Sequence, residues 1–208
     1  MLATAAMRRA CTRTLCASPR VMRPTSQPTL SFDPSAKTAM DKQEPPAPGA
    51  DFRVVIVGAG NINFGSDEGP WNHSFRLEHK LGPRLKVVAL IDPDAERARR
   101  VLKTKCQSFV LSAYKDTVVY PTFKDYMASV CAETYPHAVW VGSPPAFRGG
   151  TEPGRNLEQL LTAGLPNVPL FIEKPVSTGA VDQTFEVAKM LEQNGSLVSV
   201  GYMLRYLK

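Results

Sequence analysis

The sequence predicts an α/β fold built on a doubly wound parallel sheet, and three observations carry that reading. From Asp51 onward, short β-branched runs alternate with segments of helical character, as βαβ units require. The run Arg53-Val-Val-Ile-Val57 leads directly into Gly58-Ala59-Gly60, a buried strand feeding a glycine turn. More than a hundred residues later, Leu170-Phe171-Ile172 ends on Glu173-Lys174-Pro175. In an open α/β sheet, ligands bind beyond the carboxyl ends of the strands. The glycine turn and the lysine can therefore face each other across one crevice.

The elements follow in order. Strands 53–57 and 86–91 are apolar at nearly every position, so both faces of each should be covered by helices. Helix 94–105 opens on Asp94 and continues Ala-Glu-Arg-Ala-Arg-Arg-Val-Leu, good helix formers with an acidic first turn. A short strand is expected near 117–120, then helix 123–131 and strand 138–142. In helix 155–163, Leu157, Leu160 and Leu161 share one face, as in a helix packed on a sheet. Strand 169–172, helix 179–193 and strand 197–203 complete the pattern. Six strands joined by right-handed crossovers match a dinucleotide-binding (Rossmann) domain. Its predicted span is residues 51–208.

Residues 1–50 read differently. The first thirty contain five arginines, and no acid precedes Asp33, the composition of a mitochondrial transit peptide and equally of a disordered extension. Pro24, Pro28, Pro34, Pro45, Pro46 and Pro48 follow, a linker composition that sustains neither helix nor sheet. The net charge of +6 concentrates here: residues 1–50 hold seven basic and three acidic side chains, leaving 18 against 16 for the rest. The folded part is nearly neutral, so no nucleic-acid partner is expected. Cysteines 11, 16, 106 and 131 form no Cys-x-x-Cys pair, so neither a disulfide framework nor a structural metal is indicated. The apolar runs fall far short of the ~18 residues a membrane span needs. A cytoplasmic or mitochondrial matrix location is expected, with no membrane partner.

The chemistry should lie at the strand ends. Gly58 permits the tight turn and Gly60 lets a phosphate approach the backbone, with Asn61 and Ile62 following. The position of the usual third glycine is Asn63. Asp92 ends the second apolar strand, where a carboxylate accepts hydrogen bonds from an adenosine ribose; it could equally cap the next helix. It stands 34 residues after Gly58, more than the customary ~20, and the surplus fits an insertion, 65–73, before the first helix. A carboxylate there repels the extra phosphate of NADP by about 4 kcal/mol at ~4 Å and an effective dielectric of ~20. Arg97, Arg99 and Arg100 lie close enough in sequence to offset this, so NAD is favoured and NADP stays open. Ser143-Pro144-Pro145 takes the backbone abruptly out of the fourth strand. Lys174 is anchored by its strand where a cofactor hydroxyl or substrate oxygen would sit. His73, His79 and His137 form no ligand set and are expected in surface or helix-face roles.

The order of Gly58-Ala59-Gly60, Val88-Ala-Leu-Ile-Asp92, Ser143-Pro144-Pro145, Phe171-Ile-Glu173-Lys174-Pro175 and Val200-Gly201-Tyr202-Met-Leu-Arg205-Tyr206 resembles the N-terminal half of the Gfo/Idh/MocA oxidoreductases. The likeness covers roughly 52–206. It implies NAD(P)-dependent hydride transfer with a sugar, polyol or related hydroxyl or carbonyl substrate. Gly58, Gly60, Asn61 and Ile62 would then hold the pyrophosphate and Asp92 the adenosine ribose. Ser143 and Pro144 would line the nicotinamide, with Glu173 beside them, and Lys174 would contact the nicotinamide ribose and act catalytically on the substrate oxygen. The family's C-terminal α/β domain, with its substrate pocket, catalytic histidine and oligomer interface, is missing from this sequence; a homo-oligomer is expected only where that domain is present. The alternative is a non-catalytic dinucleotide-binding module or truncated remnant.

Overall fold

The computed structural model describes residues 46–66 and 71–202. Most of the expected N-terminal extension and the final residues, 203–208, lie outside them. Strands β1 (Phe52–Val57), β2 (Leu85–Ile91), β3 (Val118–Tyr120), β4 (Ala138–Val141), β5 (Leu170–Ile172) and β6 (Val198–Val200) form one sheet in the order β3-β2-β1-β4-β5-β6. Every pairing is parallel. The sheet is therefore doubly wound from the central β1.

The helices are α1 (Asn61–Phe64), α2 (His73–Leu81), α3 (Ala95–Cys106), α4 (Leu111–Tyr114), α5 (Phe123–Met127), α6 (Leu157–Gly164) and α7 (Val181–Gln193). Helix α2 starts where Asn72 accepts a hydrogen bond from Phe75 N, and α3 where Asp94 accepts one from Arg97 N. The helix expected over 123–131 stops at Met127. Ala128 caps it, and Ser129 N donates to the Tyr126 carbonyl, closing the end in a tighter i→i−3 turn. Helix α6 starts two residues late because 150–155 closes a separate turn, Gly150 N donating to Arg155 O and Arg155 N to Glu152 O.

Side chains alternate across the sheet. On one face Val55, Val57, Val139, Val141, Leu170 and Ile172 pack under α5, α6 and α7, with Leu161, Leu165 and Val187. On the other, Val54, Ile56, Leu85, Val87 and Leu90 meet Leu77, Ala98, Leu102 and Tyr114 of α2, α3 and α4. Strands β1 and β2 are covered on both faces, as their apolar runs predict. Strands β4 and β5 are not: Trp140 stacks on Phe171 at 3.9 Å between ring centroids, and both stay half-buried.

The turn after β1 shows what Asn63 does in place of a glycine. Gly142, at the end of β4, has no Cβ, and a Cβ there would collide with the Asn63 side chain. The amide fills that space and donates from Nδ2 to the carbonyls of Val57 (3.1 Å) and Gly58 (2.7 Å). The close packing that a third glycine allows is reached here by moving the glycine to the neighbouring strand.

The histidines depart from expectation. His79 is exposed, but His73 is buried and its Nε2 lies 3.0 Å from a Glu173 carboxylate oxygen. It sits against Trp140 and Phe171, pinning the start of α2 to the end of β5. His137 is half-buried and its Nδ1 accepts from Arg53 N. Only tertiary packing of residues a hundred positions apart could have revealed the His73 contact.

Two outcomes are expected. Gly142→Ala should expel the Asn63 side chain and cost about 1–3 kcal/mol in urea unfolding. Adding Asn63→Gly should recover part of that loss, through a coupling of about 0.5–3 kcal/mol; strict additivity would disprove the exchange. The second concerns pH. Burial lowers the His73 pKa against the opposing pull of Glu173, with Arg76 adding to the lowering, and burial also lowers His137. Unfolded histidines protonate near pH ~6.5, so folding stability is complete above that value and is lost as pH falls below it toward the depressed folded values. His73→Gln should make that loss shallower in urea melts; an unaltered slope would count against a buried neutral His73.

Candidate active site

The carboxyl ends of β1, β2, β4 and β5 open on a cleft of about 370 Å³. Gly58, Gly60, Asn61, Ile62, Asp92, Ser143, Pro144, Glu173 and Lys174, singled out from the sequence, all line it. Arg97, Gly142, Pro145 and Arg148 line it too.

Gly58 has φ 96°, and a Cβ on it would meet Ser143 N at 3.0 Å and the Gly142 carbonyl carbon at 3.1 Å. Gly60 is different, because a Cβ there would meet nothing within 4 Å. Protein packing does not require that glycine, whereas close approach of a ligand to the backbone would. Gly60 is the N-cap residue of α1, and the N–H groups of a first helical turn have no intrahelical partners. Asn61 and Ile62 are the residues of that turn that border the cleft.

Asp92 is buried and tightly held. One oxygen accepts from Ala59 N at 2.6 Å; the other accepts from Asp94 N at 2.8 Å and from an Arg97 Nη at 2.9 Å. The cap of α3 is Asp94, so Asp92 ties the glycine turn to the end of β2 instead. Its bond to Arg97 raises the arginine's pKa. The same bond sets a half-exposed guanidinium beside the carboxylate. Sequence spacing left Arg97, Arg99 and Arg100 equivalent as charges to offset Asp92; only Arg97 makes this contact among the described residues.

The opposite wall comes from β4 and β5. The Ser143 hydroxyl is buried with no partner among the described residues, although it belongs to a cleft-lining residue. A buried hydroxyl without a partner is costly, and a carboxamide or ribose oxygen at this point would relieve it. Glu173 turns its carboxylate toward His73, into room left by the absent Cβ of Gly201. Lys174 is exposed and joined to Pro175 by a cis peptide bond; among the described residues it has no ion pair.

A dinucleotide fits these donors. The backbone of the turn suits a pyrophosphate, Asp92 with Arg97 an adenosine ribose, and the Ser143 hydroxyl with Lys174 the far end of the cofactor. No group of three or more His, Cys, Asp or Glu that could hold a metal occurs among the described residues, nor does any helix there have the length and apolarity to cross a membrane.

Known proteins share the fold and the family of this chain. The chain is 44% identical over 162 residues to the Schizosaccharomyces pombe uncharacterized protein C12C2.04, covering 77% of this chain and 42% of that protein. It thus spans less than half the length of that relative. Among solved structures, the WlbA dehydrogenase of Chromobacterium violaceum, in complex with NADH and UDP-GlcNAcA, matches 76% of this chain and 37% of its own at TM-score 0.51 and 16% identity. The transcriptional regulator Gal80p of Kluyveromyces lactis matches 75% and 34% at TM-score 0.50 and 14% identity. Both share the fold. The profile of the Gfo/Idh/MocA oxidoreductase family, NAD-binding Rossmann fold, matches residues 52–202, and the chain belongs to that family.

Proposed function

We propose that this chain is the cofactor-binding part of an NAD(P)-dependent oxidoreductase that moves a hydride to or from a carbon bearing oxygen on a sugar or polyol. The observation that carries this reading is Gly60, a glycine demanded by no neighbouring atom, at the head of a cleft whose far wall ends in Lys174. The sugar class draws support from the fold neighbour complexed with NADH and UDP-GlcNAcA.

In this reading the bound nicotinamide supplies a two-electron hydride acceptor or donor. The N–H groups of Gly60, Asn61 and Ile62 would bind the pyrophosphate. Ser143 and Pro144 would line the nicotinamide. Lys174 would hydrogen-bond the substrate oxygen, and would either stabilise the negative charge developing there or relay the departing O–H proton to solvent. Glu173 and His73 act behind it by fixing the end of β5. Residues 51–208 would serve as one nucleotide-binding unit, and the arginine-rich start suits a matrix transit peptide and equally a disordered extension of a cytoplasmic protein.

A second reading is a dinucleotide-binding module without catalysis. The fold match to a transcriptional regulator favours it. Turnover separates the two: an enzyme oxidises some sugar or polyol, and a module only binds.

In a catalytically complete form, one that includes the substrate domain, Lys174→Ala should leave the NADH Kd within a few-fold while lowering turnover on a sugar and polyol panel by about 10²-fold or more. Full turnover in that variant would remove Lys174 from the mechanism; no turnover in the native complete form, with NADH still bound, would favour the module. Arg97→Ala should weaken NADPH about tenfold, the worth of one charge-assisted contact, with NADH changed little. Equal effects in fluorescence titrations would mean that Arg97 does not face the adenosine ribose.

A further inference from the structure

Among the described residues, Arg148 is one of the largest side chains that are fully buried, only 1% exposed, and nothing in the residues around it in the chain marks it. A buried guanidinium is costly unless its donors and charge are met. Its Nε donates to the carbonyl of Ser143 at 3.0 Å, and an Nη donates to the carbonyl of Val176 at 3.1 Å. These carbonyls belong to different loops: one carries Ser143 and Pro144 off β4, the other follows Lys174 and Pro175 off β5.

Charge compensation is arranged at longer range. Glu158 and Glu173 are the carboxylates that act on Arg148, and no ion pair joins either to it within 4.0 Å among the described residues. Glu158 is itself buried and accepts from Gly149 N at 2.8 Å. Gly149 gives an independent sign that the loops are held hard together. Its φ is 68°, and a Cβ on it would lie 2.6 Å from the Val176 carbonyl oxygen and 2.5 Å from the Ser177 Cβ. A guanidinium is a rigid planar fork, so two carbonyls bonded to it are held at a fixed separation.

We propose that Arg148 is a positioning residue that sets the width of the nicotinamide end of the cleft, by clamping the Ser143 loop to the loop behind Lys174. This rests on the dinucleotide reading above. Arg148 is only 1% exposed at the edge of the cleft, so the clamp would act on the cofactor through Ser143 and Lys174; its hydrogen bonds run to those two loops, whereas Asp92 and Arg97, at the adenosine end, bond to other groups.

The test compares NADH with ADP-ribose, which lacks the nicotinamide, by titration against the native chain, Arg148→Lys and Arg148→Ala. Lysine keeps the charge but cannot span both carbonyls with fixed geometry. Arg148→Lys is expected to weaken NADH about tenfold, the worth of one hydrogen bond to a charged group, and to leave ADP-ribose within about twofold of native, a differential that general destabilisation would not produce. Added guanidinium ion, and not ammonium, is expected to restore NADH affinity in Arg148→Ala. Parallel loss of both ligands with no rescue, or undiminished NADH binding in both variants, overturns the clamp. A native chain that binds ADP-ribose as tightly as NADH also overturns it and leaves the dinucleotide reading standing. A native chain that binds neither ends both.

Discussion

The site depends on one constraint, the contact of backbone against backbone where the turn after β1 crosses the end of β4. Gly58 approaches Gly142 and Ser143 so closely that no side chain fits between them. With the two strand ends pressed together, the space beside Gly142 is just large enough for an amide, and Asn63 occupies it. Its hydrogen bonds to Val57 and Gly58 then hold the turn at the angle that presents Gly60 and α1 to the cleft. The same approach buries the Ser143 hydroxyl. Each wall of the cleft is thus fixed by the other, and neither could be described from its own segment.

Charges in the site are held rather than left loose. Asp92 is bound by two backbone N–H groups and Arg97, Glu173 by His73, and Glu158 by Gly149 N. Such arrangements add little to net stability, since desolvation offsets most of their attraction, but they leave each group one satisfactory position. Lys174 is the exception. It is exposed at the rim beside a buried glutamate, free to meet a ligand oxygen while its backbone stays fixed. Both follow the end of β5 at Ile172: Glu173 turns in to His73, and Lys174 turns out to the rim.

What was legible in the sequence was what local chemistry dictates. The six strands follow from β-branched runs, the glycine turn from Gly58 and Gly60, and the strand-end positions of Asp92 and Lys174 from the residues before them. Helix ends drifted where the backbone closes into tighter turns, as at Ser129 and over 150–155. Three features were not legible. Asn63 stood where a glycine motif has its third glycine because its compensating glycine lies at 142; His73 looked like a surface or helix-face residue because its partner is at 173; Arg148 carried no local sign because its acceptors are main-chain carbonyls, which every residue has. In each case the missing information was a distance across the sheet.

The strand order has a kinetic consequence. Strand β1 pairs with β2 on one side and β4 on the other, and Val54 lies opposite Ala138. During synthesis the β1–β2–β3 half can assemble first, but the other edge of β1, the apolar Val54-Val55-Ile56-Val57, waits for a strand some eighty residues downstream. At ~5–20 residues per second that wait is roughly 4–16 s. Throughout it, the strand destined for the centre of the sheet is an open edge, the kind of surface on which chains pair wrongly with one another. A segment that ends fully buried at the centre of the sheet thus spends that interval as an exposed apolar edge.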